Sequence, residues 1–532
     1  MIEPWWKTDA IYQIYPRSFQ DTDGDGVGDL KGVEQRLEYL GALGVNAIWL
    51  SPIFPSPMAD FGYDVADYVG VDPRFGTLAD LDALLAATHA RGMKLILDFV
   101  PNHSSDQHPW FKESRSSRDN PKRDWYIWRD PAPGGGPPNN WISDFGGPAW
   151  EWHAATGQYY MHAFLKEQPD LNWRNPDVRA AMMDVLRFWL DRGVDGFRID
   201  VLWHMAKAEG LPDNPPNPDY HAGMGEMFSV LQLNSTDQPE VHEIAAEMRR
   251  LADSYPGARL LIGEIYLPVE KLMRYYGDPK MPEVQLPFNF ELIDAPWNAR
   301  ALAKLISDYE GALPRFGWPN WVLGNHDRPR IAARVGEAQA RVAAMLLLTL
   351  RGTPTLYYGD ELGIGKVDIP PGRVTDPREL REPGLGLGRD PVRTPMPWNE
   401  NPNAGFSTAE PWLPLNPDWY ERNVGAQTND PRSMLVLHQN LLALRRAHPV
   451  ISLGDFALLD AENDILAYER RLDDRRMLIA LNLGAGIGSY TLPTWAADFH
   501  PLLSTLDITP AIDGPVLTLR PNEGVILASA DH

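Results

Sequence analysis

The 532-residue chain contains no cysteine, which excludes disulfides, thiolate nucleophiles and Cys-ligated metals. Positive charge is scarce: 49 Lys and Arg stand against 72 Asp and Glu, for a formal net charge of −23. Such a balance argues against nucleic acid or an anionic membrane surface as a partner. Long apolar runs are missing too. The longest, Ala343–Leu350, falls far short of the ~18 residues of a membrane span. The opening Met1-Ile2-Glu3-Pro4-Trp5-Trp6-Lys7 lacks the basic and apolar regions of a secretory signal, so a cytoplasmic location is the default expectation. No Gly-rich dinucleotide fingerprint follows a strand-like run, and no organic cofactor is expected. Aromatics, by contrast, are plentiful: 19 Trp and 19 Tyr suit the stacking of flat apolar faces on sugar rings. The length exceeds what one core usually holds, so two or three domains are expected.

The N-terminal part repeats a helix–Gly–strand unit. Residues 30–43 place Val33, Leu37 and Leu40 on one helical face, and Gly44 precedes the strand Ala47-Ile48-Trp49-Leu50. Thr77 with Asp80 makes a capping-box variant before a helix striped by Leu81, Leu84 and Leu85. Gly92 then leads into the strand Leu95-Ile96-Leu97-Asp98. Asn175-Pro176 opens a third helix, which Gly193 stops before the strand Gly196–Asp200. Strand-like runs at Ala10–Ile14, Leu260–Glu264, near Phe288, at Trp321–Gly324 and at Thr355–Tyr358 bring the count to about eight. Parallel strands need crossover helices, so this alternation predicts a (β/α)8 barrel. The barrel is expected from residues 1–102 and 172–450. A Trp-, Pro-, Gly- and Asn-rich segment, 103–171, interrupts it and is too long for a loop, so a small inserted domain is expected there. Alternating strands across a turn at Asp473-Asp474 predict an antiparallel β-domain over 451–532.

Barrel active sites lie at the C-terminal ends of the strands. Asp98, Asp200, Glu264 and Asn325-His326-Asp327 all fall there. Each alone reads equally well as a cap, a turn or an ion pair; together they predict one functional site. Converging carboxylates suit glycoside hydrolysis, in which one attacks or stabilises the anomeric carbon and another protonates the leaving oxygen. Arg198, two residues before Asp200 on the same strand, can hold Asp200 ionised as the nucleophile. Glu264 follows an apolar strand with no basic residue beside it in sequence, and is the expected acid.

The segments Asp98–His103, Gly196–His204, Gly263-Glu264 and Asn325–Asp327 resemble the four motifs of the α-amylase superfamily, glycoside hydrolase family 13. The segments Ile11–Phe19, Gln168–Trp173 and Arg393–Trp398 resemble its oligo-1,6-glucosidase and α-glucosidase branch. The resemblance covers nearly the whole chain. It implies a retaining mechanism, with Asp200 as nucleophile, Glu264 as acid/base and Asp327 as a third carboxylate that binds sugar hydroxyls. It also implies a glucose pocket. Asp60 and Tyr63 would hold and stack the terminal glucose, and His103, Arg198 and His326 would bind its hydroxyls. Arg389 would close the pocket with Asp60, so that only a chain end fits. Phe145, Phe164 and Gln168 would line it from the inserted segment.

In this branch Val after the nucleophile, here Val201, resembles enzymes that accept α-1,6 links, whereas Ala or Thr resembles maltose-preferring ones. A β-branched residue there narrows the leaving-group side. The expectation is therefore an exo-acting α-glucosidase leaning to α-1,6 links, acting on short sugars as a monomer or small homo-oligomer. Transglycosylation is expected through the same glucosyl intermediate. The chain departs from the oligo-1,6 pattern at Leu202-Trp203-His204, and maltose, sucrose and nigerose-type substrates stay open. A sucrose isomerase or trehalose synthase-type glucosyl transferase on the same scaffold is the alternative. The charged stretch that sucrose isomerases carry after the Asn-His-Asp motif is replaced here by Arg328-Pro329-Arg330-Ile331.

Asp21-Thr22-Asp23-Gly24-Asp25-Gly26-Val27-Gly28-Asp29 fits the opening of a D-x-D-x-D-G calcium loop. Asp21, Asp23, Asp25, Asp29 and the Val27 carbonyl could surround a hard cation, Ca2+ or Mg2+, in a structural role. The bidentate Glu of such loops is absent, with Gly32 in its place.

Overall fold

The structure is a computed structural model that describes residues 3–506 and 508–529. Eight parallel strands form its central sheet: β1 (Ile11–Ile14), β2 (Ala47–Leu50), β3 (Lys94–Phe99), β4 (Gly196–Ile199), β5 (Leu260–Gly263), β6 (Leu286–Pro287), β7 (Asn320–Val322) and β8 (Thr353–Tyr357). They run in the order β6-β5-β4-β3-β2-β1-β8-β7. A parallel bridge between Asn289 and Trp321 joins the two ends, so the sheet closes into the expected barrel.

Period-2 alternation sorts the strand side chains. Ile11, Trp49, Ile96, Ile262 and Phe288 pack together inside the barrel. Phe197 and Ile199 face outward into the core shared with helix Pro176–Asp191, through Trp189 and Leu190. Arg198 is thereby left on the inner side of β4. Local signals hold where they were read. Thr77 and Asp80 make the reciprocal capping box, Asn175 caps the helix after it, and Gly44 takes φ 103 at its helix end. One helix differs. Residues 30–43 form two helices, Leu30–Gln35 and Leu37–Leu43, broken at Arg36. There Arg36 leaves helical dihedrals to donate to the Gln20 side chain and lie 3.9 Å over the Trp398 ring.

Between β3 and β4 the chain builds a small antiparallel sheet from Trp128–Arg129, Gln158–Met161 and Trp150–His153. Beyond Asp455 lie a five-stranded and a three-stranded antiparallel sheet. The apolar run Ala343–Leu350 is the buried end of helix Glu337–Thr349, which packs against strands of the five-stranded sheet. No helix among the described residues is long and apolar enough to cross a membrane.

Candidate active site

A cavity of about 670 Å³ opens at the C-terminal ends of the barrel strands. Asp200, Glu264 and Asp327 line it, together with Asp60, Tyr63, His103, Phe145, Phe164, Gln168, Val201 and Arg389. Arg198 and His326 are not on its wall. Both are buried just behind it, against residues that are.

Arg198 is the hub. Its Nη1 donates to Asp98 Oδ1 and to Asp200 Oδ1, each at 2.7 Å. Its Nη2 lies 2.8 Å from Glu264 Oε2. Glu264, which has no basic residue beside it in sequence, therefore has one beside it in space. Sequence adjacency hid a partner that the parallel register of β4 and β5 supplies, Arg198 facing Ile262 and Ile199 facing Gly263. Burial, with the charges of Glu264 and Asp98 beside it, pushes the Asp200 carboxyl well above the usual range despite Arg198. Burial raises Glu264 as well, again against Arg198 and with Asp327 adding to the rise. Asp98 is pushed up by burial to about 6. Three carboxylates thus share one guanidinium, and burial with their mutual charge favours a proton held among them.

The turn after β4 is strained. Val201 takes φ 36 and ψ 47, a left-handed conformation that β-branched residues rarely adopt. This twist lets the Val201 amide donate to Glu264 Oε2 at 2.9 Å, tying the Asp200 turn to Glu264.

Asp327 differs from the other two carboxylates. Burial alone would raise its pKa, but the Arg389 and Arg393 guanidiniums beside it outweigh burial and hold it far below the usual carboxylate range. Arg393 Nη2 donates to Asp327 Oδ1 at 2.7 Å. The Tyr63 and His326 rings lie parallel, 5.3 Å between centroids, with Tyr63 OH 2.7 Å from His326 Nε2. Gln13 Nε2 sits 2.8 Å from His326 Nδ1 and fixes the other edge of that ring. Burial lowers His326 well below its usual pKa, so the ring stays neutral.

The far wall is closed by an ion pair. Arg389 Nη2 donates to Asp60 Oδ1 at 2.6 Å, and Gln168 Nε2 donates to Asp60 Oδ2 at 3.3 Å. Gln168 Nε2 also lies 3.2 Å from His103 Nε2. The Arg389 guanidinium sits 5.0 Å over the Phe145 ring, and Phe164 packs on His103 with centroids 5.1 Å apart. Phe145 and Phe164 therefore belong to the cavity wall as well as to the packing of the inserted segment.

Several residues at this site escaped the sequence reading. The sequence places Asp98 at a strand end and shows no partner for it. Asp376 grips Arg389 through Nε and Nη2, the latter at 2.7 Å, yet lies in an irregular stretch with no periodicity to announce it. Arg393 sits in a segment that carried the resemblance, and nothing in its spacing points to Asp327. Toward the mouth the cavity is lined by Trp203, Tyr266, Arg328, Met227, Phe228, Arg378 and Leu387.

At the N-terminal βα loop, carboxylate oxygens of Asp21, Asp23 and Asp29 lie within 4.8 Å of one another. Asp25 is outside this group, and its Oδ1 accepts from the Val27 amide at 2.7 Å.

The Alpha amylase, catalytic domain family matches residues 13–454. The chain belongs to the α-amylase family. Within the family, an oligo-1,6-glucosidase of Parageobacillus thermoglucosidasius is 39% identical over 98% of both chains. A probable α-glucosidase of Rhizobium meliloti (strain 1021) is 40% identical, covering 93% of this chain and 92% of its own. Among solved family structures, the α-glucosyl transfer enzyme XgtA superposes with a TM-score of 0.94 at 40% identity, over 99% of this chain and all of its own. The trehalulose synthase MutB from Pseudomonas mesoacidophila MX-45 gives 0.91 at 36% identity, over 99% and 100%.

Proposed function

We propose that the protein is an exo-acting, retaining α-glucosidase that releases glucose from the non-reducing end of short α-glucosides, leaning to α-1,6 links. The observation that carries this reading is the cavity's closed end. The Arg389–Asp60 pair and Gln168 block passage beyond the first sugar, while Asp200 and Glu264 sit at its base in front of one buried guanidinium. Asp200 attacks the anomeric carbon and Glu264 protonates the leaving oxygen. Asp327, kept ionised by its cations, accepts hydrogen bonds from glucose hydroxyls. Tyr63 offers a ring face, and His103 and Arg389 offer polar atoms. The glucosyl group on Asp200 can pass to water or to another sugar, so transglycosylation belongs to the same reading. So does a cytoplasmic role without nucleic acid or membrane, supported by the net charge of −23 and the lack of cysteine.

The test is kcat/KM for isomaltose and maltose side by side, in wild type and Val201→Ala. Isomaltose is expected to win in wild type. Val201→Ala should shift the ratio toward maltose by about tenfold, the size of effect one methyl-scale change in a subsite can have. Incubation with sucrose separates the transferase reading, since an isomerised disaccharide as the main product would overturn hydrolysis.

We also propose that Asp21, Asp23 and Asp29 hold a structural Ca2+, with Mg2+ as substitute. Their mutual oxygen spacing suits ligands at the ~2.3–2.6 Å distances of calcium. A chelator should then lower the melting temperature. Calcium about a hundredfold above its Kd should restore about 2–3 kcal/mol. Asp23→Asn should abolish the response, and an unchanged melting curve under chelation would sink the metal.

A further inference from the structure

The mouth of the cavity is assembled from three loops distant in sequence: 143–147, 222–232 and 376–389. A short helix, Pro377–Arg381, is the piece that joins them, with Asp376 capping its start. Arg381 donates through Nε to the Phe145 carbonyl at 3.0 Å and through Nη2 to the Gly146 carbonyl at 2.7 Å. Glu382 Oε1 accepts from the Glu226 amide at 2.7 Å. Glu226 Oε2 in turn accepts from the Gly147 amide at 2.8 Å. The three loops therefore form a closed ring of hydrogen bonds. The fit is tight. Gly146 takes φ 78, and a Cβ there would meet Glu382 Cδ at 2.9 Å; Gly225 takes φ 93, and a Cβ there would meet Leu387 Cδ1 at 3.0 Å.

The ring meets the glucose pocket only through the backbone carbonyl of Phe145, and it fixes the side chains beside it. Met227 and Phe228 follow Glu226 directly, Leu387 packs on Gly225, and Arg378 Nη2 lies 3.3 Å from Met227 Sδ. All four line the outer cavity. Phe228 keeps 39% of its surface exposed, so it stands at the edge. The 222–232 loop has only two short 3-10 turns, and segments of that kind stay in place only as long as their tethers do.

We propose that Arg381 and Glu382 are the specificity-determining clasp that closes the leaving-group side over a single sugar unit and so confines the enzyme to short glucosides. The clasp rests on the α-glucosidase reading. Opening it releases Met227 and Phe228 from the mouth and admits further sugar units, while the closed glucose end is untouched.

The experiment compares wild type, Glu382→Ala, Glu382→Gln and Arg381→Ala. It measures kcat/KM for p-nitrophenyl α-glucoside, for the disaccharide of the preferred linkage, and for a five-unit oligomer of that linkage. Glu382→Ala is expected to raise the oligomer-to-disaccharide ratio about fivefold or more, with activity on the aryl glucoside unchanged. Arg381→Ala should do the same, and it replaces Glu382→Ala should that variant fail to fold. Glu382→Gln keeps the accepting oxygen and should keep the wild-type ratio. An active Ala variant with an unchanged ratio overturns the clasp and leaves the α-glucosidase reading intact. A wild type inactive on every glucoside overturns both.

Discussion

Glu264→Gln is expected to lose about 10²–10⁴-fold in kcat/KM on isomaltose, the range for removing a general acid, but far less on p-nitrophenyl α-glucoside. The difference lies in the leaving group. A sugar alkoxide cannot depart without a proton, whereas p-nitrophenolate can. Asp200→Asn should lose both activities together, by about 10⁵-fold or more, because no covalent intermediate forms from either substrate. This contrast is what assigns the roles, since Arg198 contacts both carboxylates and the charges around them do not separate nucleophile from acid. A Glu264→Gln variant equally crippled on both substrates would reverse the assignment. The pH profile gives a second readout. The working state of the pair carries one proton. Burial raises both members, so both limbs of the bell should lie above the ordinary carboxylate values of 3.8 and 4.5. The basic limb reports loss of that proton and should vanish in Glu264→Gln, which cannot titrate.

The parts legible in the sequence are those governed by local rules. Thr77 and Asp80, Asn175-Pro176 and Gly44 each announce a helix end through near neighbours, and the eight strands follow from what lies between them. Carboxylates at strand ends are legible for the same reason, because a barrel puts every such end on one face. The clamps between them are not. Asp376 reaches Arg389 from within an irregular stretch, and Gln13 meets His326 across the barrel. Such contacts depend on strand register and loop path, which hydrophobic periodicity does not encode. Glu264 shows the cost most clearly. It has no basic neighbour in sequence, yet a guanidinium lies 2.8 Å away, because β4 and β5 run side by side. Val201 is a similar case, since no spacing rule foretells a left-handed β-branched residue. The hydrogen bond that its amide donates to Glu264 accounts for the strain once both are seen.

Arg198→Met is expected to destabilise the protein by about 3–5 kcal/mol at about pH 8, the loss that follows removal of one partner from a buried ionic group, and by much less at about pH 5. The methionine keeps an unbranched stem, so lost packing is small beside lost charge. Three buried carboxylates, on Asp98, Asp200 and Glu264, are left facing one another without their cation. The sign follows from the direction of their shifts. Asp98 sits at about 6 when folded against 3.8 for the free group, so the folded protein binds protons more tightly there than the unfolded chain does. A raised carboxyl contributes most below its unfolded pKa, and that contribution is lost as pH rises through the folded value. Without Arg198 all three folded pKa values climb further. The gap between variant and wild type should therefore widen as pH rises through and beyond 6, and narrow in acid, where the three groups are neutral. Urea unfolding of both proteins at the two pH values checks this. An equal gap at both, or a larger one in acid, would show that Arg198 acts through packing and not through the charge of the carboxylates at the base of the cavity.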